Sequence, residues 1–439
     1  MPLVSFKTVG CRLNQAETAT MAQGLEQAGY RRVRFGDPAH VSIVHSCAIT
    51  ANAVRTCIQY ARAAKKRNPR TVVVVVGCAV RAEADRLRRE GAVDLLLGQE
   101  EKFGLAERLR RLGVEGDRTY EEPGLDAVPS APDPAAQRTH ALVKIQDGCS
   151  FRCAYCIVPH TRGEARARPW ERIVAEIEQK VGERGYREIV LTGANLGTAR
   201  WGRHTLIDLL RRMETVEGLE RIRLSSIECS TIEHDLIDYM QTSPRICRYL
   251  HLPLQSGDNG ILKAMRRRYT AEDYRALVRH AAALDRSGLG TDVMVGFPGE
   301  DDAAFQNTYR LVESLPFSNL HVFQYSPRPH TPAASFDRQV PAAVKKERAG
   351  RLIALGQTKQ RAFARQLIQQ PAALSVLVET TDGVNASGRC AEYMPVTIRN
   401  ASLHPGDIVP CHPTEMTESR AGVTLSAKAV NRAGTAKGR

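Results

Sequence analysis

Three cysteines, Cys149, Cys153 and Cys156, stand in the stretch QDGCSFRCAYC with three and then two residues between them. Cysteine sulfur is the usual protein ligand of iron–sulfur clusters. Thiolates at these offsets on one loop can hold three irons of a [4Fe–4S] cluster, leaving the fourth without a protein ligand. An open coordination position is what a catalytic metal keeps and a structural one closes. A zinc site completed by His160 is the competing arrangement, but structural zinc uses closer paired spacings. Three cysteines rather than four point to catalysis.

A second set follows a different logic. Cys11 ends LVSFKTVGC, Cys47 ends VSIVHSC and Cys78 ends TVVVVVGC. Each lies just past the C-terminal end of a run that reads as a parallel strand. Open α/β folds gather their ligands along that one edge of the sheet. Cysteines 36 and 31 positions apart can converge there, which makes a second three-ligand cluster the better reading than three separate buried thiols. Cys57, Cys229, Cys247, Cys390 and Cys411 follow no such pattern and are assigned structural roles or none.

The elements that must position these residues fall into three segments. Residues 1–112 alternate short Val- and Leu-rich runs (LVSFKT, VSIVHS, TVVVVVG, AVDLLLG) with helical patterns, which implies parallel strands and crossovers. QAETATMAQGLEQAGY reads as one of the helices, with Asn14 as its N-cap before an acidic first turn. Residues 113–139, rich in Pro, Gly and acid, read as a linker. Residues 140–370 hold six βα units with strands ALVKIQ, EIVLTG, RIRLSS, YLHLPL, TDVMVG and LHVFQY, an open barrel shorter than the eight-stranded form, followed by a polar helix over about 341–370. Cys149 then sits past the end of the first barrel strand, where barrel enzymes place their chemistry. From 371 to 431, short strands broken by Gly and Pro (LSVLVET, CAEYMPVTI, GDIVPC, GVTLSAKAV) suggest a small β-barrel of the oligonucleotide-binding type. The basic tail NRAGTAKGR reads as frayed.

The chain has 439 residues and a formal net charge of +14, which favours a polyanionic partner such as nucleic acid. No apolar run resembles a secretory signal, and TVVVVVGCAV is half a bilayer span. Eleven cysteines without an export signal fit a reducing, cytoplasmic setting and argue against a disulfide framework.

The C-x3-C-x2-C loop with Tyr155 before its last cysteine resembles the radical S-adenosylmethionine (SAM) superfamily. With KTVGCRLNQAE, HSCAIT and GCAVR, and with LTGANLG, RLSSIE, LHLPLQSGD, DVMVGFPGE and HVFQYSPRPHTPAA downstream, nearly the whole chain resembles the methylthiotransferases. That resemblance implies an N-terminal cluster domain, a radical-SAM barrel and a C-terminal RNA-binding TRAM barrel. It implies two [4Fe–4S] clusters, on Cys149, Cys153 and Cys156 and on Cys11, Cys47 and Cys78. Two molecules of SAM are implied as well. One gives a methyl group to a sulfur on the auxiliary cluster; the other is cleaved by one electron to a radical that removes hydrogen from the target carbon. The branch it looks most like acts on N6-threonylcarbamoyladenosine in the tRNA anticodon loop. Methylthiolation of N6-isopentenyladenosine, or of an aspartate in a ribosomal protein, is the alternative within the same chemistry, and a non-catalytic cluster carrier is the alternative outside it. A reduced flavodoxin- or ferredoxin-type electron donor and a sulfur source are further implied partners, with no membrane involved. His45 stands where members often carry Asn, and Cys229 follows Glu228 where Pro is common.

By position at strand ends, Gly193, Ala194, Asn195, Ser226, Glu228, Gln255, Ser256, Val295 and Gly296 are the candidates for SAM, with Glu228 set for the ribose hydroxyls. Lys263, Arg266, Arg267 and Arg268 are candidates for RNA phosphate, and a helix bearing Lys345, Lys346, Arg348 and Arg351 is a weaker one.

Overall fold

The computed structural model describes residues 1–116, 139–399, 402–419 and 422–430. Most of the expected linker and the basic tail lie outside the described residues.

The chain begins with five strands, β1 (Leu3–Thr8), β2 (Arg31–Val33), β3 (Val41–Ser46), β4 (Val72–Gly77) and β5 (Leu95–Leu97). They form one parallel sheet in the order β2-β1-β3-β4-β5. Helices α1 (Arg12–Gln27), α2 (Ala51–Arg67), α3 (Cys78–Arg88) and α4 (Leu105–Arg111) complete it. The VVVVVG run of β4 forms an interior strand, where β-branched side chains suit burial on both faces. Thr50 caps α2 by accepting from Ala53 N at 3.1 Å, and Lys65, Lys66 and Arg67 close its last turn against the negative dipole end. One expectation needs correction. Asn14 is not the N-cap of α1: Cys11 holds that position, no acid lies in the first turn, and the buried Asn14 amide donates to Val9 O and Ser46 O, both at 3.0 Å. Asn14 thus ties two loops of the sheet edge together, a use that the local pattern does not reveal. The polar RRV run of β2 had no hydrophobic signal because it is an edge strand.

The next six strands, β6 (Ala141–Lys144) and, after the short antiparallel pair β7 (Gln146–Asp147) and β8 (Arg166–Ala167), β9 (Glu188–Thr192), β10 (Arg221–Leu224), β11 (Tyr249–His251), β12 (Gly288–Val295) and β13 (Asn319–Gln324), are the expected six. Two parallel half-sheets, β6-β9-β10 and β11-β12-β13, join through a parallel bridge between Ile222 and Ile246. Helices α5 (Val158–Arg162), α6 (Trp170–Gly182), α7 (Leu206–Glu214), α8 (His234–Thr242), α9 (Asn259–Ala264), α10 (Ala271–Ala282) and α11 (Asp302–Ser314) wrap this open barrel. Capping boxes at Thr205/Asp208 and Thr270/Asp273 start α7 and α10. Leu and Ile of these helices pack on the strands in one apolar core.

Helix α12 (Ala342–Gln369) runs from this barrel to the last one. Its Ala349 and Leu352 belong to the large barrel's core, and its Phe363, Ala364 and Leu367 to the small barrel's core. Strands β14 (Leu374–Thr381), β15 (Asn385–Cys390), β16 (Pro395–Arg399), β17 (Ile408–Ser419) and β18 (Gly422–Ala429) close a barrel in the order β14-β15-β16-β18-β17. CAEYMPVTI is not one strand: β15 ends at Cys390, and a turn with Tyr393 at φ +73° precedes β16. Strand β15, NASGRC, was hidden by its polar composition.

The small barrel docks through buried arginines of β10. Arg221 donates to Ser375 O at 3.0 Å and Arg223 to Cys390 O at 3.0 Å. Glu188 of β9 holds both guanidinium groups, at 2.7 Å from Arg221 Nε and 3.2 Å from Arg223 Nε. Gly288 is required here, since a Cβ would collide with the carbonyl of Glu392.

Candidate radical and cluster site

The loop carrying Cys149, Cys153 and Cys156 leaves the barrel at β7. Gly148 adopts φ +67°, and a Cβ there would strike the carbonyl of Glu164, so only glycine lets the chain turn into the loop. Cys149 N donates to Gly163 O at 3.0 Å and Ala154 N to Met265 O at 2.9 Å, which pins both ends. Arg267, whose side chain is only 4 % exposed, places Nη1 3.3 Å from Cys153 Sγ and 3.4 Å from the Tyr155 hydroxyl, and pairs through Nη2 with Glu228. Burial pushes the Cys156 thiol up to about 12, with the neighbouring Cys153 adding to it. A thiolate there therefore needs a bound cation, as a cluster iron provides.

Cys11, Cys47 and Cys78 come together at the C-terminal edge of the N-terminal sheet. A Cβ on Gly10 would stand 2.8 Å from Cys47 Cβ, and φ +118° at Gly10 gives the chain that approach. Gln99 Nε2 donates to Cys78 Sγ at 2.8 Å. Burial likewise raises the Cys47 thiol to about 12. Among the described residues no three His, Cys, Asp or Glu side chains surround the position of a single ion. A cluster takes one sulfur per iron at separate corners, so its ligands stand further apart than those of one ion.

One buried network joins the two cysteine sets. Arg162, six residues after Cys156, donates to Asn14 Oδ1 at 2.7 Å, to Glu17 at 2.9 and 3.0 Å, and to Asp147 Oδ1 at 2.8 Å. Lys102 Nζ reaches Glu17 Oε2 at 2.7 Å and also bonds Gln99; Lys144 lies 3.4 Å from Glu17 Oε1. Burial would raise the Glu17 carboxyl, but Arg162, Lys102 and Lys144 hold it well below the usual carboxylate range. His45 at the centre is driven well below its ordinary value by burial and by Lys102, so it is neutral. Ala48, Cys78, Ala82 and Ile157 form an apolar patch between the two sets. Sequence reasoning missed Glu17, Gln99, Lys102, Lys144 and Arg162. Glu17 carried a signal as the last residue of KTVGCRLNQAE, and Arg162 lies six residues past the cysteine loop.

The other expected residues divide. Glu228 is buried, with Oε2 paired to Arg267 and Oε1 without a hydrogen-bond partner; burial raises its carboxyl despite Arg267. Gln255, at φ +68°, also leaves Oε1 unpartnered. Gly193 packs against Gln146, whose Oε1 accepts from Asn195 N at 2.9 Å. Asn195 Oδ1 accepts from Thr231 Oγ1 at 3.1 Å and Ser256 Oγ lies 3.2 Å from Thr308 Oγ1, so these two side chains serve the loops themselves. Ala194 and Ser226 are half-buried at strand ends. Val295 is buried, and Gly296, at φ +72°, is covered by Lys345.

Lys263, Arg266 and Arg268 are exposed, with Arg268 stacked 4.1 Å over the Phe151 ring. Arg267 is the correction: φ +60° at Arg266 lets the chain turn and sends Arg267 inward to the cysteine loop. Arg348 is a second correction, buried between Glu300 and Asp302 at 2.7 Å from each. His160 stacks on His330 at 4.2 Å. Cys57, Cys247, Cys390 and Cys411 are buried, and Cys229 is half-buried.

A cleft of about 260 Å³ opens where the three units meet. Cys11 and Arg12 form one wall, Gly193 and Ser226 another, and Tyr249 and Tyr393 a third. The ends of β9 and β10, one candidate cluster ligand and the small barrel thus face a common space. No helix among the described residues is long and apolar enough to cross a membrane.

Residues 143–312 match the radical SAM superfamily, and residues 3–98 match the uncharacterized protein family UPF0004. The chain is 36% identical over 429 residues to the threonylcarbamoyladenosine tRNA methylthiotransferase MtaB of Bacillus subtilis, covering 93% of each. It is 36% identical to the protein of that name from Thermotoga maritima, over 79% of this chain and 80% of that one. Among solved structures it resembles the radical SAM methyltransferase TsrM of Kitasatospora setae, with a TM-score of 0.57, 14% identity and coverage of 76% and 75%. That likeness concerns the fold. The two matched segments and the full-length identity agree with the paired cysteine sets, and the chain belongs to the radical SAM methylthiotransferase family, in its threonylcarbamoyladenosine tRNA branch.

Proposed function

We propose that this protein transfers a methylthio group to C2 of N6-threonylcarbamoyladenosine beside the tRNA anticodon, giving 2-methylthio-N6-threonylcarbamoyladenosine. The observation that carries the reading is the cleft that Cys11 shares with the ends of β9 and β10, in a chain alike over its length to enzymes named for that nucleoside.

In this reading Cys149, Cys153 and Cys156 hold one [4Fe–4S] cluster that keeps an iron for SAM, and Cys11, Cys47 and Cys78 hold the second. When bound, the clusters and SAM supply the one-electron chemistry that an unactivated aromatic C–H requires, which no side chain here provides. The donor sets fit: all six are thiols, and buried positions among them favour the metal-bound thiolate over the free one.

The chain's own residues do the rest. Glu228 Oε1 and Gln255 Oε1, buried and unpartnered, are acceptors that suit the hydroxyl and amino groups of a bound SAM. Arg267 holds Glu228 in place and puts positive charge beside Cys153. Gln146 fixes the loop of Gly193, Ala194 and Asn195. Arg162 and Glu17 lock the two cysteine sets in one relative orientation, and the Ala48–Cys78–Ala82–Ile157 patch excludes water between them. Exposed Lys263, Arg266 and Arg268 beside the loop suit anticodon-stem phosphates, and the barrel from 371 onward suits RNA. The division into residues 1–112, 140–370 and 371–431 then matches three tasks: holding sulfur, cleaving SAM and gripping tRNA. The unstacked anticodon loop suits a base presented to a cleft. A reduced flavodoxin or ferredoxin and a sulfur source complete the requirements.

The test is mass spectrometry of tRNA nucleosides from cells with and without the gene. The reading requires loss of 2-methylthio-N6-threonylcarbamoyladenosine and accumulation of its unthiolated precursor, reversed by the intact gene and not by Cys153→Ala. Loss of the isopentenyl counterpart instead, or no change in any tRNA nucleoside, overturns it.

A further inference from the structure

The buried arginines of the barrel seam and of the two cysteine sets are committed. Arg221 and Arg223 are held by Glu188, Arg162 by Glu17 and Arg267 by Glu228. His251, on the cleft wall, lies 3.2 Å from Asp292 Oδ1. Arg12 is different. It lines the cleft, and among the described residues it has no carboxylate partner. It is nevertheless held, because Nη2 donates to the Tyr393 hydroxyl and its guanidinium sits 5.4 Å from the centroid of that ring. Tyr393 is itself fixed by stacking on Tyr249 at 4.4 Å. A guanidinium offers five N–H donors in a planar fork. Tyr393 takes one direction and leaves the rest for a ligand.

Arg12 also directly follows Cys11, a residue assigned above to the auxiliary cluster. Adjacent Cα atoms are about 3.8 Å apart, so a group held by Arg12 lies close to the sulfur-delivering side of the cleft. In adenine, C2 and the N6-bearing C6 both adjoin ring N1. A substituent on N6 therefore reaches along the edge that carries the reacting carbon. The threonylcarbamoyl group ends in a free carboxylate, whereas adenosine and its isopentenyl derivative carry no charge there.

Resting on the proposed reaction, we infer that Arg12 recognises the threonyl carboxylate and is the residue that selects this nucleoside. A planar fork matches a carboxylate in two parallel hydrogen bonds, which a lysine cannot reproduce.

The experiment is equilibrium binding of synthetic anticodon stem–loops to the cluster-loaded protein, followed by fluorescence anisotropy. Three loops differ at one nucleoside: adenosine, N6-threonylcarbamoyladenosine, and the methyl ester of the latter. The intact protein binds the acid about 10-fold tighter than the other two, the factor expected from one charge-assisted contact. Arg12→Gln abolishes the preference without weakening binding of the adenosine loop, and Arg12→Lys keeps part of it. A preference that survives in Arg12→Gln overturns the inference, and so does an equal loss on all three loops, which would make Arg12 a phosphate contact. The ester comparison needs no variant: equal binding of acid and ester by the intact protein overturns the inference whatever Arg12→Gln does to folding. The nucleoside analysis separates the two levels. Product formed in tRNA without any preference for the acid loop sinks only the role of Arg12, whereas absence of product sinks the reaction itself.

Discussion

Arg162 and Glu17, 145 positions apart, meet in a buried ion pair with contacts of 3.0 and 2.9 Å. One follows the cysteine loop of the barrel; the other sits in the helix that Cys11 caps. Their side chains are 4 % and 2 % exposed, and Glu17 also neutralises Lys102 and Lys144. The pair is a clamp between the two cysteine sets.

Glu17 is the keystone of that clamp because one carboxylate faces three cations. Glu17→Gln leaves these charges buried with only Asp147 to offset them, and the cost is about 3–5 kcal/mol. Arg162→Met removes a cation and leaves Glu17 with two lysines, so it costs less. Urea unfolding midpoints of the two variants give the order directly.

Iron analysis separates the two cysteine sets. Cys153→Ala and Cys11→Ala each lose about half of the iron of the reconstituted protein, and the double variant loses nearly all. A protein that keeps all its iron after Cys11→Ala has no cluster at the N-terminal edge.

Glu228→Gln removes the charge that Arg267 is paired with, beside the cysteine loop. SAM binding, measured by calorimetry on the cluster-loaded protein, weakens about 10-fold or more, because a charged acceptor is exchanged for a neutral one. RNA-loop affinity stays as it was.

Glu188 makes stability depend on pH. Burial opposes its ionisation, but Arg223 and Arg221 override this and bring the carboxyl to about 2, against about 4.3 in an unfolded chain. Its folded value is depressed, so the stabilisation is present above the unfolded value and is lost as pH falls through that range toward the folded one. The full effect is about 3 kcal/mol. The stability difference between the intact protein and Glu188→Gln should therefore shrink from about pH 5 down to about pH 2.

Much of this was legible in sequence because it follows from repeating patterns. A parallel strand fixes which end a following residue occupies, so Cys11, Cys47 and Cys78 could be placed on one edge without any contact information. The barrel loop announced itself by spacing. What stayed hidden depends on long-range pairing. Glu17 reads as an ordinary helix acid, Lys102 as a surface base, and nothing local says that both are buried. Arg267 reads as a phosphate contact within a basic run, and only the left-handed turn at Arg266 shows it directed inward. Asn14 looked like a cap because its type and place suit one, yet the helix begins a turn earlier and the amide crosses to another strand.

Helix α12 lends Leu352 to one core and Phe363 and Leu367 to the other. The two barrels are therefore not beads on a string. A shortened protein cut near residue 370 would strip the small barrel of part of its own interior and leave an apolar helix end in water. Modular exchange of the small barrel has to carry this helix along, and with it the seam that Arg221 and Arg223 make. Change in this architecture is thus constrained to move a helix and a barrel together.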